Sequence, residues 1–155
     1  MRHYNAKTLE FTKEGFSDLF ILNTANTPAT AGGAAVNDFS AGLSNKQITL
    51  TALVAGDLVL DAVIDVKTVI AGPTGAPTAQ VKTSVGAVAI TPLCAVKTAT
   101  GVISDNTVVG RTMSTQAENL VLDLQVGGGD GAVPTAGELW IWANISRAGR
   151  LLTQA

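Results

Sequence analysis

Apolar and polar residues alternate with a period of two along much of this chain. Across residues 58–70 the even positions carry Leu58, Leu60, Ala62, Ile64, Val66 and Ile70, while Asp61, Asp65 and Lys67 fall on odd positions. Successive strand side chains point to opposite faces, so the pattern predicts a long half-buried strand with the even positions inward. A helix would space its apolar residues three and four apart and would not favour so many β-branched side chains. Residues 118–126 repeat the period, with Leu120, Leu122, Leu124 and Val126 opposite Asn119, Asp123 and Gln125. Residues 47–53 (Ile48 and Leu50 inward), 79–85 (Val81 and Val85 inward) and 138–146 (Leu139, Ile141, Ala143 and Ile145 aligned) complete the set.

Turn-forming residues separate these runs: Ala55-Gly56-Asp57, the Gly72 to Pro77 stretch, Thr100-Gly101, Gly127-Gly128-Gly129-Asp130-Gly131 and Pro134-Thr135-Ala136-Gly137. Short strands punctuated in this way predict an all-β fold, an antiparallel β-sandwich of jelly-roll type, over residues 37–155. No segment from Asn37 to Arg147 has helical spacing, which argues against a parallel α/β sheet.

Residues 1–36 read differently. Phe11, Phe16, Leu19, Phe20, Ile21 and Leu22 precede an Ala/Gly/Thr-rich stretch over 24–35 that cannot pack a core by itself. The expectation is an extended N-terminal arm, apolar at one end and flexible behind it. A first strand or short helix closing the same domain is the competing reading.

Composition sharpens the picture of the surface. Only 14% of the 155 residues are charged, against a typical ~25%, while the apolar fraction of 46% is ordinary. The exterior is therefore rich in hydroxyl and amide groups, which suits contact with other protein surfaces. A net charge of −2 without a Lys/Arg cluster argues against nucleic acid or an anionic membrane as partner. No run approaches the ~20 apolar residues of a membrane-spanning helix, and no signal peptide is expected. The single cysteine, Cys94, has no second cysteine to pair with and lies between Leu93 and Ala95, as a small buried hydrophobe would.

Candidate chemistry is sparse. The only histidine, His3, lies two residues from the amino terminus, which disfavours a positioned catalytic imidazole and excludes a two-histidine metal site. Asp61 and Asp65 share a strand face about 13 Å apart, too far for a glycosidase pair, so they and Asp57 read as solvated charges. The 127–131 loop has the glycine content of a phosphate cradle but not the Gly-Lys-Ser/Thr ending, and a strand follows it; Asp130 is at most a weak Ca²⁺ ligand. Asn144-Ile145-Ser146 matches a glycosylation sequon inside a predicted strand. Trp140 and Trp142 are more informative. They fall on one face of the last strand, opposite Leu139, Ile141 and Ala143, so that strand is apolar on both sides and is either central or covered by a neighbouring subunit.

The run from Asn45 to Thr68, with its Leu53-Val54-Ala55-Gly56-Asp57 corner leading into a long strand, resembles tailed-bacteriophage virion proteins with a β-sandwich or jelly-roll body. Thr83-Ser84-Val85-Gly86 and Thr135 to Ile141 are similar to the later strands of such proteins, so the likeness spans roughly residues 37–147. The resemblance implies a non-enzymatic virion protein on the capsid surface: a capsid decoration (cement) protein whose partner is the major capsid protein, acting as a homo-oligomer, expected to be a trimer, with no cofactor. On that reading Phe11, Phe16, Phe20 and Leu22 form the capsid-binding arm, and Trp140 with Trp142 the oligomer interface. The alternative is a head-fibre, tail or receptor-binding virion module that recognises host glycan.

Overall fold

The computed structural model describes residues 1–5, 15–25, 37–39, 46–103, 110–125 and 133–148. Among them there is no helix. Ten strands follow in chain order: β1 (Arg2–Asn5), β2 (Asp18–Asn23), β3 (Lys46–Leu53), β4 (Leu58–Ala71), β5 (Thr78–Thr83), β6 (Cys94–Ala95), β7 (Gly101–Val102), β8 (Thr112–Met113), β9 (Glu118–Gln125) and β10 (Ala136–Ser146). They form two antiparallel sheets. One has six strands in the order β1-β2-β10-β4-β7, with β8 also on β4, and the other four in the order β3-β9-β5-β6. The chain passes repeatedly between the sheets, so that β2, β4 and β10 lie in one and β3, β5 and β9 in the other. The result is an all-β sandwich.

The period-two pattern sets the core. Ile64 and Val66 of β4, Leu139, Ile141 and Ala143 of β10, and Phe20 and Leu22 of β2 join Leu50 and Leu53 of β3, Ala79 and Val81 of β5, and Leu120, Leu122 and Leu124 of β9 in one buried cluster. Two bulges change the phase. Between Asn144 and Ile145 the β10 partner jumps from Asp61 to Val59, and Val59, rather than the expected Leu58 and Leu60, enters the core. In β3 the register shifts between Thr49 and Thr51, which brings Leu53 inward along with Leu50. Val85, expected inward, lies beyond the end of β5 and is exposed. Val126 lies outside the described residues. At Gly137 a Cβ would sit 2.4 Å from Ile70 Cδ1, and φ is +152°, so glycine alone fits the irregular start of β10.

The expected boundary at residue 36 does not divide the molecule. β2 hydrogen-bonds between β1 and β10, and Phe20 and Leu22 are fully buried in the common core. The reason is visible in the segment itself: Leu19, Phe20, Ile21 and Leu22 are apolar on both faces, as a strand inside a sheet must be when both faces are covered. The first strand is thus structural, and the arm reading is corrected for residues 2–5 and 18–23. The Ala/Gly/Thr-rich stretch over 26–36 lies outside the described residues.

Asp57 anchors the corner that carries the chain from one sheet to the other. Its carboxylate accepts the Val54 N–H at 3.1 Å and the Ala148 N–H at 2.7 Å, and faces Arg147 at 3.4 Å. Arg147 also donates to Ala52 O and Thr51 Oγ1. The Gly56 N–H donates to Ser114 O and the Ser114 N–H to Asp57 O, which ties the end of β8 to the same corner. Asp57 is buried, which corrects its reading as a solvated charge. Burial pushes its carboxyl up, but the two N–H donors and the Arg147 guanidinium outweigh that and hold it below the ordinary carboxylate range.

Two outcomes follow from this architecture. Deleting residues 1–23 should abolish cooperative unfolding followed by circular dichroism, because it strips the core of Phe20 and Leu22 and exposes an edge of β10; a sharp thermal transition in the truncated chain would contradict the placement of β2. Asp57→Asn should cost about 1–3 kcal/mol at pH 7 and flatten the acid limb of stability. A carboxyl lowered by folding stabilises above its unfolded value and loses that contribution as pH falls through the folded value, so wild type should lose melting temperature more steeply than the variant below about pH 4.

Candidate functional site

The two outer faces of the sandwich differ in chemistry. On the four-stranded sheet the cross-strand rows are Gln47, Asp123 and Gln80, then Thr49, Val121 and Lys82. Several of their polar groups are engaged: Lys82 pairs with Asp123, Gln125 Nε2 donates to Asp123, and Gln80 Nε2 donates to Thr91 O. On the six-stranded sheet the corresponding rows carry mostly apolar residues. Tyr4, Leu19, Trp142 and Val63 lie side by side across β1, β2, β10 and β4, and the next row runs Arg2, Ile21, Trp140, Asp65 and Val102.

Cross-strand neighbours on one face touch, and here they build a second hydrophobic cluster outside the main core. Leu19, Val63 and Trp142 are buried in it, and Tyr4, Phe16, Ile21 and Trp140 pack against them. Phe16 and Trp140 flank Trp142 with ring centroids 6.4 and 6.3 Å away, both tilted. Trp140 is held by its edge and its face. Its Nε1–H donates to Glu138 Oε1 at 2.6 Å, and Lys67 Nζ lies 4.9 Å from its ring centroid while pairing with Asp65 at 2.7 Å. At the β7 and β8 margin the apolar surface becomes open, with Val102 43% and Met113 60% exposed. Met113 pairs with Leu58, the neighbour of inward Val59, and so shares this outer face.

These contacts redistribute the expected site residues. Phe20 and Leu22 are core, and Phe16 belongs to the outer cluster. Phe11 lies outside the described residues, so none of the described members of the expected capsid-binding set is a detached anchor. Trp142 is only 6% exposed within its own subunit, so it has little surface left to bury against another copy; of the expected pair, only Trp140 remains half-open. Asp65 is buried against Lys67 rather than solvated. His3 stacks on Phe20 at 4.4 Å and meets Asp18 at 2.6 Å, beside Ser17 and Arg147. Cys94 is buried, as expected. The 127–131 loop lies outside the described residues. Among the described residues no group of three or more His, Cys, Asp or Glu side chains could hold a metal ion, and no helix is long and apolar enough to cross a membrane.

Sequence reasoning missed Tyr4, Leu19, Ile21 and Val63 as parts of this face. The signal was there in part: residues 19–22 and 139–143 are both apolar on two faces, and strands of that kind belong beside each other. No family model, curated protein or solved structure matches this chain. What fold and face define is an all-β sandwich protein with one polar outer surface and one apolar one.

The cluster separates its two tryptophans by consequence. Trp142→Ala should cost about 3–5 kcal/mol of folding stability in denaturant titration. Trp140→Ala, which removes a half-exposed ring and a cation–π contact, should cost about 1–2 kcal/mol. Equal losses would mean that the fold depends on both rings alike.

Proposed function

We propose that this chain is a non-enzymatic virion protein that decorates a phage capsid, binding the major capsid protein lattice and stabilising the head. One observation carries the reading: the outer face of the six-stranded sheet holds a second apolar cluster whose members Tyr4, Phe16, Ile21 and Trp140 stay partly open, with Val102 and Met113 exposed at the margin of the same sheet. Surfaces of that kind mark sites of protein contact. The alternation of strands between two sheets supports it by analogy of fold, since jelly rolls are built that way and serve viral capsid proteins, although they also serve lectins. The low charge and the likeness of residues 37–147 to tailed-phage virion proteins point the same way.

The mechanism is binding alone. An oligomer whose copies engage neighbouring capsomers converts several modest contacts into one strong attachment through effective concentration. Ligation of that kind stabilises the bound lattice by mass action when packaged DNA presses outward. The folded body, including β1 and β2, supplies the rigidity this requires.

A second reading draws on Trp140, a half-open ring beside Glu138 and Lys67, which is the kind of surface a sugar ring stacks on; it would make the chain a glycan-recognising fibre or tail module. Cosedimentation with phage heads assembled from a major capsid protein of the same genome separates the two. Decoration predicts saturable binding and a higher head disruption temperature. No binding to heads, together with retention on a glycan array that Trp140→Ala abolishes, would overturn decoration in favour of the second reading.

A further inference from the structure

The connection from β4 to β5, residues 72–77, carries the chain from the six-stranded sheet to the four-stranded one. One residue beyond β6 holds both of its ends. The Ile70 N–H donates to Val96 O at 2.9 Å, and the Val96 N–H donates to Pro77 O at 3.1 Å; the Thr135 N–H adds a bond to Ala71 O at 2.9 Å. Gly72, with φ +108°, makes the turn where a Cβ would stand 3.0 Å from Thr135 N, and Pro73 and Pro77 each fix φ at about −65° within the bend. Lys97, the next residue after Val96, reaches into the mouth of this loop. Its Nζ donates to Pro73 O at 2.7 Å, to Gly75 O at 3.0 Å and, at longer range, to Thr74 O at 3.4 Å. A lysine ammonium has three donors, and the carbonyls of three consecutive residues take up all of them.

We infer that the 72–77 loop is a receptor for a monovalent cation, and that Lys97 supplies that cation from within the chain. Carbonyl dipoles aimed at one point repel one another unless a positive charge lies between them, and together they replace the hydration shell of an ion. The bonds from Val96 and Thr135 hold the loop without using the lysine side chain, so the three carbonyls stay convergent when the ammonium is withdrawn. Their spacing selects the ion. Oxygens 2.7 to 3.4 Å from the centre suit ammonium or potassium, whereas calcium draws six to eight oxygens to about 2.3–2.6 Å and magnesium draws its ligands to about 2.0–2.1 Å. Lys97 is half-buried and its contact with Thr74 is open to solvent, so water completes the shell of a bound ion. In wild type the tethered ammonium has a high effective concentration and keeps free ions out. One crossing between the sheets therefore depends on a positive charge, as the Asp57 corner depends on a negative one.

Thermal unfolding of the full chain tests this, with wild type and Lys97→Met compared in potassium, choline and calcium chloride at equal ionic strength. Wild type should melt alike in the potassium and choline salts and serves as the control for general salt effects. Lys97→Met should melt below wild type in choline chloride. It should regain about 3 °C or more in about 200 mM potassium chloride, with saturation, because an ion that binds only the folded chain stabilises it by mass action. Calcium should not substitute. A variant as stable as wild type in choline, one that melts alike in potassium and choline, one rescued by calcium at least as well, or one unfolded in every salt would overturn the assignment.

Discussion

Everything in this fold is arranged around β10, which is paired along both edges and covered on both faces. β2 and β4 take up its backbone groups on either side. Leu139, Ile141 and Ala143 close the core between the sheets, and Trp142 with Trp140 organises the outer cluster. A strand in that position cannot shift register by one residue without sending its tryptophans into the core and its aliphatic residues out. The bulges and Gly137 fix that register where β10 meets β4, and the Arg147–Asp57 contact fixes its far end to the corner between the two sheets.

The same arrangement explains why the sandwich has unlike outer surfaces. On the four-stranded sheet, Lys82, Asp123, Gln125 and Gln80 find polar partners close at hand. On the six-stranded sheet, the strands that flank β10 bring further apolar residues to its outer side. Burial of Trp142, Leu19 and Val63 is achieved within one subunit, but the rows continue to residues that are only half-covered. The surface left over is a by-product of anchoring a central tryptophan, and it is also what an assembling protein needs.

The proposed role in capsid decoration would ask for rigidity and contact area rather than positioned nucleophiles. The carboxylates have structural work instead: Asp57 holds a corner, Asp65 neutralises Lys67, Asp123 pairs with Lys82 and Asp18 meets His3.

Period-two alternation by itself determined that β4, β9 and β10 are strands and, beyond the bulged start of β4, which of their residues face the core, because side-chain direction alternates along an extended backbone. Turn residues determined where the strands end, and the all-β class followed from both. Tertiary structure decided the rest. The phase of β4 near Val59 depends on a bulge that only pairing with β10 reveals, and the inward turn of Leu53 depends on another. Ile90 and Val96 are fully buried although their segment has no period, since their placement comes from hydrogen bonds to Val81 O, Pro77 O and Ile70 N. Residues 19–22 read as a detachable apolar anchor because a sequence shows that a segment is apolar on both sides, not what covers it. Which strands flank β10, and hence that Trp142 is buried within its own subunit while Trp140 stays half-open, follows from strand order, a long-range property that no local pattern encodes.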